Sequence, residues 1–234
     1  MKKICITNQK GGSGKTSTAV LLTLALAGSR RRVLAVDSDP QAGLTSFFIP
    51  EGWTEKRGLY DLIMGDNPEP VHIDRGGIVF DLIPADYRLD KIYSTLAPFA
   101  IRDAFKCADY DMIIFDTPPT VQGISRAAAM ASDRIIVPTD ISRASIRPTI
   151  YTLTALKEIE KTGQVYLIGK DPGEDGRGFT AETARTFIEE LGRNYAGTIP
   201  RSVSMQKIVS DTVRSWSPAR IEKQLNPILE AVQI

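Results

Sequence analysis

The stretch NQKGGSGKTS, residues 8–17, decides how the rest of the chain is read. Gly11, Gly12 and Gly14 fall between an apolar run, KICIT (3–7), and a segment rich in Ala and Leu (15–28). Glycines at such a junction let successive backbone N–H groups curl around an anion. A helix starting there adds the positive end of its dipole. Lys15 can then reach the β- and γ-phosphates of a nucleotide, and the Thr16 hydroxyl can ligate Mg²⁺. The generic spacing G-x-x-x-x-G-K-[ST] fails at its first position, which is Gln9. The pattern present is K-G-G-x-G-K-[ST], with an additional lysine, Lys10, ahead of Lys15.

Outward from this loop, short β-rich runs alternate with longer helical segments. The strands expected are 3–7, 32–37, 78–84, 111–116, 134–139, 165–169 and 196–200, several of them near-continuous Val/Ile/Leu runs of the kind covered on both faces. Helices are expected over 15–28, 96–107, 123–131, 145–162, 180–193 and 204–215, with surface loops at 50–58, 65–77 and 170–178. This order predicts an α/β fold, a mostly parallel twisted sheet with helices on both faces. The 234 residues fit one domain over 1–234. Ligands of such sheets sit beyond the carboxyl ends of the strands. That draws attention to the loop after Thr7, to Asp37 and Asp39, and to Asp116.

Composition narrows the function classes. The formal net charge is +1, so any basic surface must be local. Cys5 and Cys107 are far apart and form no C-x-x-C, which argues against a disulfide framework, a zinc site or an iron–sulfur cluster. The single histidine, His72, reads as a surface-loop residue in a Pro-flanked polar stretch. Neither a signal peptide nor an apolar run long enough to span a bilayer is visible, so a cytoplasmic location is expected.

KGGSGKT (10–16) resembles the deviant Walker A loop of the ParA/MinD family of P-loop ATPases. VLAVDSDPQAGLT (33–45) is similar to that family's second motif, and YDMIIFDTPP (110–119) resembles its Walker B strand. Weaker similarities at 58–66, 82–90 and 198–209 extend the match over nearly the whole chain. The resemblance implies a P-loop NTPase fold of the deviant Walker A type that binds ATP and Mg²⁺. Residues Lys10, Gly11, Gly12, Ser13, Gly14, Lys15, Thr16 and Ser17 would hold the phosphates, and Pro200 would contact the base. Thr16, Asp37 and Asp116 would serve the metal. Lys10, Lys15 and Asp39 would be catalytic, Asp39 by orienting the attacking water. Lys10 would cross a dimer interface to the phosphates held by the partner, where an ammonium neutralises charge developing between the β- and γ-phosphates. On spacing alone, Asp-x-Asp-Pro is equally a strand-end turn, whereas the alternative for Lys10, a solvated loop lysine, has the whole motif against it.

Within the family the short ParA/Soj-type partition ATPases are the nearest resemblance. They imply an ATP-dependent homodimer, nonspecific DNA binding, stimulation by a ParB-like centromere-binding protein, and association with the nucleoid when ATP is bound. Residues 200–224 hold Arg201, Lys207, Arg214, Arg220 and Lys223 against Asp211 and Glu222, a local +3 that leaves about −2 for the remainder. Such a stripe suits phosphate-backbone contact, or is a solvated helix face. Arg30, Arg31 and Arg32 could extend it, or only complement the end of the first helix. The strand at residue 3 leaves no room for a preceding DNA-reading extension, so operator-specific binding is not expected. The tail NPILEAVQI (226–234) has no basic residue, which counts against a MinD-like membrane-targeting helix, and Pro227 reads as the start of a new short helix. A MinD-like or other cargo-positioning ATPase, and an amide ligase on the same fold, are the alternatives.

Overall fold

The computed structural model describes residues 1–49, 57–106, 108–140, 143–161, 165–170, 195–199 and 218–234. Its strands are β1 (Lys2–Ile6), β2 (Val33–Asp37), β3 (Val71–Arg75), β4 (Ile78–Ile83), β5 (Met112–Asp116), β6 (Arg134–Asp140), β7 (Val165–Lys170) and β8 (Tyr195–Ile199). They form one sheet in the order β3-β4-β2-β5-β1-β6-β7-β8. Every pairing is parallel except β3 with β4. The helices are α1 (Lys15–Gly28), α2 (Gly43–Phe48), α3 (Leu59–Ile63), α4 (Ala100–Ala104), α5 (Gly123–Ala131), α6 (Arg143–Glu158) and α7 (Pro218–Ala231), with a 3₁₀ turn at Tyr87–Lys91. The α/β architecture is the one the alternation of runs predicts. No described helix is long and apolar enough to cross a membrane.

Strand periodicity explains the two faces. In β1, Ile4 and Ile6 join the core on one side and Cys5 the core on the other. In β5, Met112 and Ile114 face one way, Ile113 and Phe115 the other. Continuous apolar strands therefore feed two cores at once. The first core contains α1, α2 and α7; the second contains α3, α4 and α5. Helix α1 is buried on nearly all sides, from Thr18 through Ala27, because the sheet lies beneath it and α7 packs on it. Cys5 is a buried thiol, and burial pushes its ionisation well above the usual range.

Several expectations are corrected. The segment 65–77, expected as loop, contains β3, and His72 lies on that antiparallel edge strand with Nδ1 2.9 Å from Asp81. Val71 and Ile73 alternate with His72 and Asp74, and Gly76 and Gly77 turn the hairpin at φ +65° and +87°. The helix expected over 96–107 is only Ala100–Ala104, because Pro98 keeps the residue before it out of helical geometry. Pro227 does not begin a helix. It lies inside α7, where Ile221, Leu225, Ile228, Leu229 and Val232 are buried along one stripe. Packing of that stripe outweighs the hydrogen bond lost at Pro227. The helices expected over 180–193 and 204–215, and Cys107, lie outside the described residues.

Candidate nucleotide site

The loop 8–14 leaves the carboxyl end of β1, the strand between β5 and β6. Its exit is anchored from both neighbours. The Thr7 N–H donates to the Ile136 carbonyl at 3.0 Å, and Thr117 Oγ1 donates to the Ile6 carbonyl at 2.8 Å. Asn8, fully buried, donates from Nδ2 to the Pro138 carbonyl (2.9 Å), and its Oδ1 accepts from the Lys10 N–H (3.0 Å). The Gln9 N–H donates to Thr152 Oγ1 on α6 at 3.2 Å. Gly12 and Gly14 then take φ of +72° and +97°, a region that costs an L-residue energy but not glycine. Gly14 is the N-terminal flank of α1, and the first helical bond runs from Thr18 N to Gly14 O at 2.8 Å. A Cβ added at Gly11 or Gly12 would meet nothing within 4 Å, so the loop's outer side is open.

Lys15 is buried and its ammonium reaches the Lys10 carbonyl at 3.3 Å. Burial pushes its pKa down, while Asp116 and Asp39 pull it back up. Thr16 faces the start of α2, since a Cβ on Gly43 would lie 3.5 Å from the Thr16 side chain.

The strand ends bring two aspartates level. Asp37 pairs with Asp116 in the β2–β5 register, and Asp116 pairs with Ile6 in the β1–β5 register. Both are fully buried, yet they differ sharply. Asp37 Oδ2 accepts from the Thr45 N–H (2.8 Å) and Thr45 Oγ1 (2.7 Å), and its Oδ1 accepts from the Asp39 N–H (3.1 Å). Asp37 thereby ties the first turn of α2 to the sheet. Desolvation pushes its pKa up to about 6 against these hydrogen bonds, and Asp39 adds to the rise. Neither oxygen of Asp116 has a hydrogen-bond partner of ordinary geometry among the described residues. Desolvation, then the Asp37 charge, hold its carboxyl well above the usual range; Thr16 and Lys15 oppose this. A buried carboxylate without partners is a costly arrangement unless a cation completes it. The Asp116 carboxylate and Thr16 hydroxyl are oxygen donors of the kind Mg²⁺ takes, so this chain's residues fit that ion. Asp39, partly buried, accepts from the Gln41 N–H at 3.0 Å through its Oδ1.

Lys10 is not a solvated loop lysine in this structure. Its ammonium donates to both Asp140 oxygens (2.7 and 2.8 Å) and to Ser145 Oγ (2.7 Å). Asp140 ends β6, and Ser145 is in the first turn of α6.

The loop residues 10–17, Asp37, Asp39 and Asp116 thus converge at one end of the sheet. Pro200, Arg201, Lys207 and Arg214 lie outside the described residues. Arg220 and Lys223 are on α7, with Lys223 exposed. Sequence reasoning missed Asn8, Thr45, Asp140, Ser145 and Thr152. Asp140 had a usable signal, since it ends an apolar parallel strand as Asp37 and Asp116 do. Ser145, Thr149 and Thr152 form a buried polar stripe at helical spacing, visible only once α6 is known to pack on the loop.

Comparison with known proteins agrees with the fold described above. The profile of the AAA domain family matches residues 1–167. The Soj sporulation initiation inhibitor of Bacillus subtilis is 33% identical over 232 residues, covering 89% of this chain and 88% of that protein. The chromosome-partitioning ATPase Soj of Thermus thermophilus is 35% identical over 164 residues, covering 68% of this chain and 63% of that protein. Among solved structures, an ATP complex of a Cyanothece McdA variant superposes with a TM-score of 0.81 at 25% identity, covering 100% of this chain and 97% of that one.

Proposed function

The chain belongs to the ParA/MinD family of P-loop ATPases, within the AAA domain family matched by residues 1–167, and from that premise we propose that it is a DNA-partition ATPase. Residues 1–234 act as one ATPase domain in the cytoplasm, and ATP binding drives homodimerisation. The ATP dimer holds DNA without reading its sequence, through Arg201, Lys207, Arg214, Arg220 and Lys223, and so sits on the nucleoid. A ParB-like centromere-binding protein stimulates hydrolysis and returns the monomer.

One observation carries the reading: the buried Asp116 carboxyl, without a hydrogen-bond partner of ordinary geometry among the described residues, at the foot of a glycine-lined loop and acted on by Lys15 and Thr16. The backbone N–H groups of 11–15 cradle the phosphates, and Lys15 neutralises them. Thr16, Asp37 and Asp116 would serve the Mg²⁺, which when bound would supply charge offsetting the triphosphate. Asp39 positions the attacking water. Pro200 would contact the base. Lys10 reaches the triphosphate of the partner subunit, which makes nucleotide state and dimerisation one equilibrium.

The test is DNA retention with ATP, with ADP and without nucleotide, across a salt series. Retention that needs ATP and falls steeply with salt is the expected result. Lys15→Ala loses nucleotide binding, whereas Lys10→Ala keeps ATP binding and loses both dimerisation and turnover. ATP-dependent retention on liposomes in place of DNA, or turnover that requires an added carboxylate and amine, overturns the partition reading.

A further inference from the structure

We propose that Asp140 and Ser145 are positioning residues for Lys10, forming a seat that holds its ammonium within its own subunit until dimerisation empties it. The proposal deepens the functional reading above and rests on it for the role of Lys10 across the interface.

The seat is saturated. An ammonium has three N–H donors. Here two go to the Asp140 carboxylate and one to Ser145 Oγ. The ring is closed by a bond from the Ser145 hydroxyl to Asp140 Oδ1. Such charge-assisted bonds are the strong ones, and three on one ammonium leave no donor for a phosphate. The pair is also sheltered: the Lys10 side chain is 25% exposed and that of Asp140 37%, while Ser145 is wholly buried. Both ends of Lys10 are fixed, because its N–H is held by the buried Asn8. The supports belong to regular elements, one the end of strand β6 and the other the first turn of a 16-residue helix. That helix docks on the loop through Thr152, which accepts from the Gln9 N–H.

A lysine that serves a neighbour's triphosphate cannot at the same moment fill this seat. Each subunit therefore contributes to the dimer in proportion to its unseated fraction, and the association constant carries that fraction squared. A partly exposed ion pair of this geometry leaves the lysine unseated roughly one-fifth of the time. Two seats then weaken the dimer roughly 25-fold. The device keeps the lysine from engaging a partner until nucleotide on both subunits offers it a stronger site.

The test titrates protein concentration by mass photometry and sedimentation velocity, with Mg²⁺ and a non-hydrolysable ATP analogue. Asp140→Asn is expected to lower the half-dimerisation concentration about 25-fold, with Ser145→Ala moving it less in the same direction and Asp140→Glu restoring it toward wild type. An unchanged midpoint for Asp140→Asn overturns the proposal. So does a raised one, which would mean that the carboxylate supports the dimer. A wild type that stays monomeric with the analogue sinks the functional reading instead. The seat is still judged then by melting of the nucleotide-free protein. Lys10→Met and Asp140→Asn should each lower Tm, and the pair should lower it no further than either alone. Additive losses would show that no seat exists.

Discussion

Replacing Asp116 by Asn tests the central electrostatic reading. In the nucleotide-free protein two carboxyls are buried side by side, and one of them has no hydrogen-bond partner of ordinary geometry among the described residues. The rise of Asp37 from 3.8 to about 6, caused chiefly by desolvation, shows the scale of burying a carboxyl at this end of the sheet, about 3 kcal/mol at neutral pH. Asp116→Asn removes a buried carboxyl that desolvation and the Asp37 charge penalise, while the new amide needs partners of its own. The net gain is therefore about 1–3 kcal/mol. For a chain of this size that raises Tm by roughly 3–10 °C. The gain depends on pH in a defined direction. Both carboxyls have folded-state pKa values above their unfolded ones, so the folded protein keeps protons that the unfolded chain has released. The contribution of Asp37 is then full below about pH 4 and is lost as pH rises through about 6, and that of Asp116 changes in the same direction. Scanning calorimetry with EDTA should show the variant melting above wild type near pH 7.5, with most of the difference gone near pH 4.5. Adding Mg²⁺ and an ATP analogue should raise the wild-type Tm and leave the variant almost unmoved. A variant that melts at or below wild type near pH 7.5, or a gain independent of pH, refutes the account of Asp116 as a carboxylate awaiting a cation.

Two further substitutions probe the scaffold around the site. Gly123 has φ +50°, and a Cβ there would run into the Tyr93 carbonyl and come within 2.7 Å of the Ser94 backbone. Gly123→Ala should cost at least about 2 kcal/mol in urea unfolding, and an unchanged midpoint would contradict the packing of α5 on 93–94. Asn8→Ala leaves the Pro138 carbonyl and the Lys10 N–H without their buried partner. It should cost about 2–3 kcal/mol and weaken binding of a fluorescent ATP analogue roughly tenfold, because the loop loses its anchor. Wild-type affinity in that variant would show that the loop holds its shape without Asn8.

Features set by neighbours in the chain are legible in the sequence itself. A strand, a glycine run and a helix in immediate succession specify a phosphate loop, because backbone N–H groups a few residues apart make the cradle. Continuous apolar strands announce a sheet buried on both faces, because side chains alternate across it. Element edges are less legible where a single Pro or a Gly-Gly pair works against the surrounding pattern, as at Pro98, Gly76-Gly77 and Pro227.

What distance in sequence conceals is which group meets which. Asp37 and Asp116 both end apolar strands, and nothing local separates them. Their fates diverge because Thr45 gives two well-formed hydrogen bonds to one and no described residue gives the other a bond of ordinary geometry, a difference of packing rather than of residue type. Lys10 is the sharper case. By sequence alone it is a loop lysine with a role implied by resemblance. Only the pairing of β1 with β6 and the docking of α6 put Asp140 and Ser145, 130 and 135 residues away, within bonding distance of its ammonium. Local covalent order determined the cradle. Which charges are satisfied at rest, and which are left for a ligand, was decided by contacts that exist only after the sheet has closed.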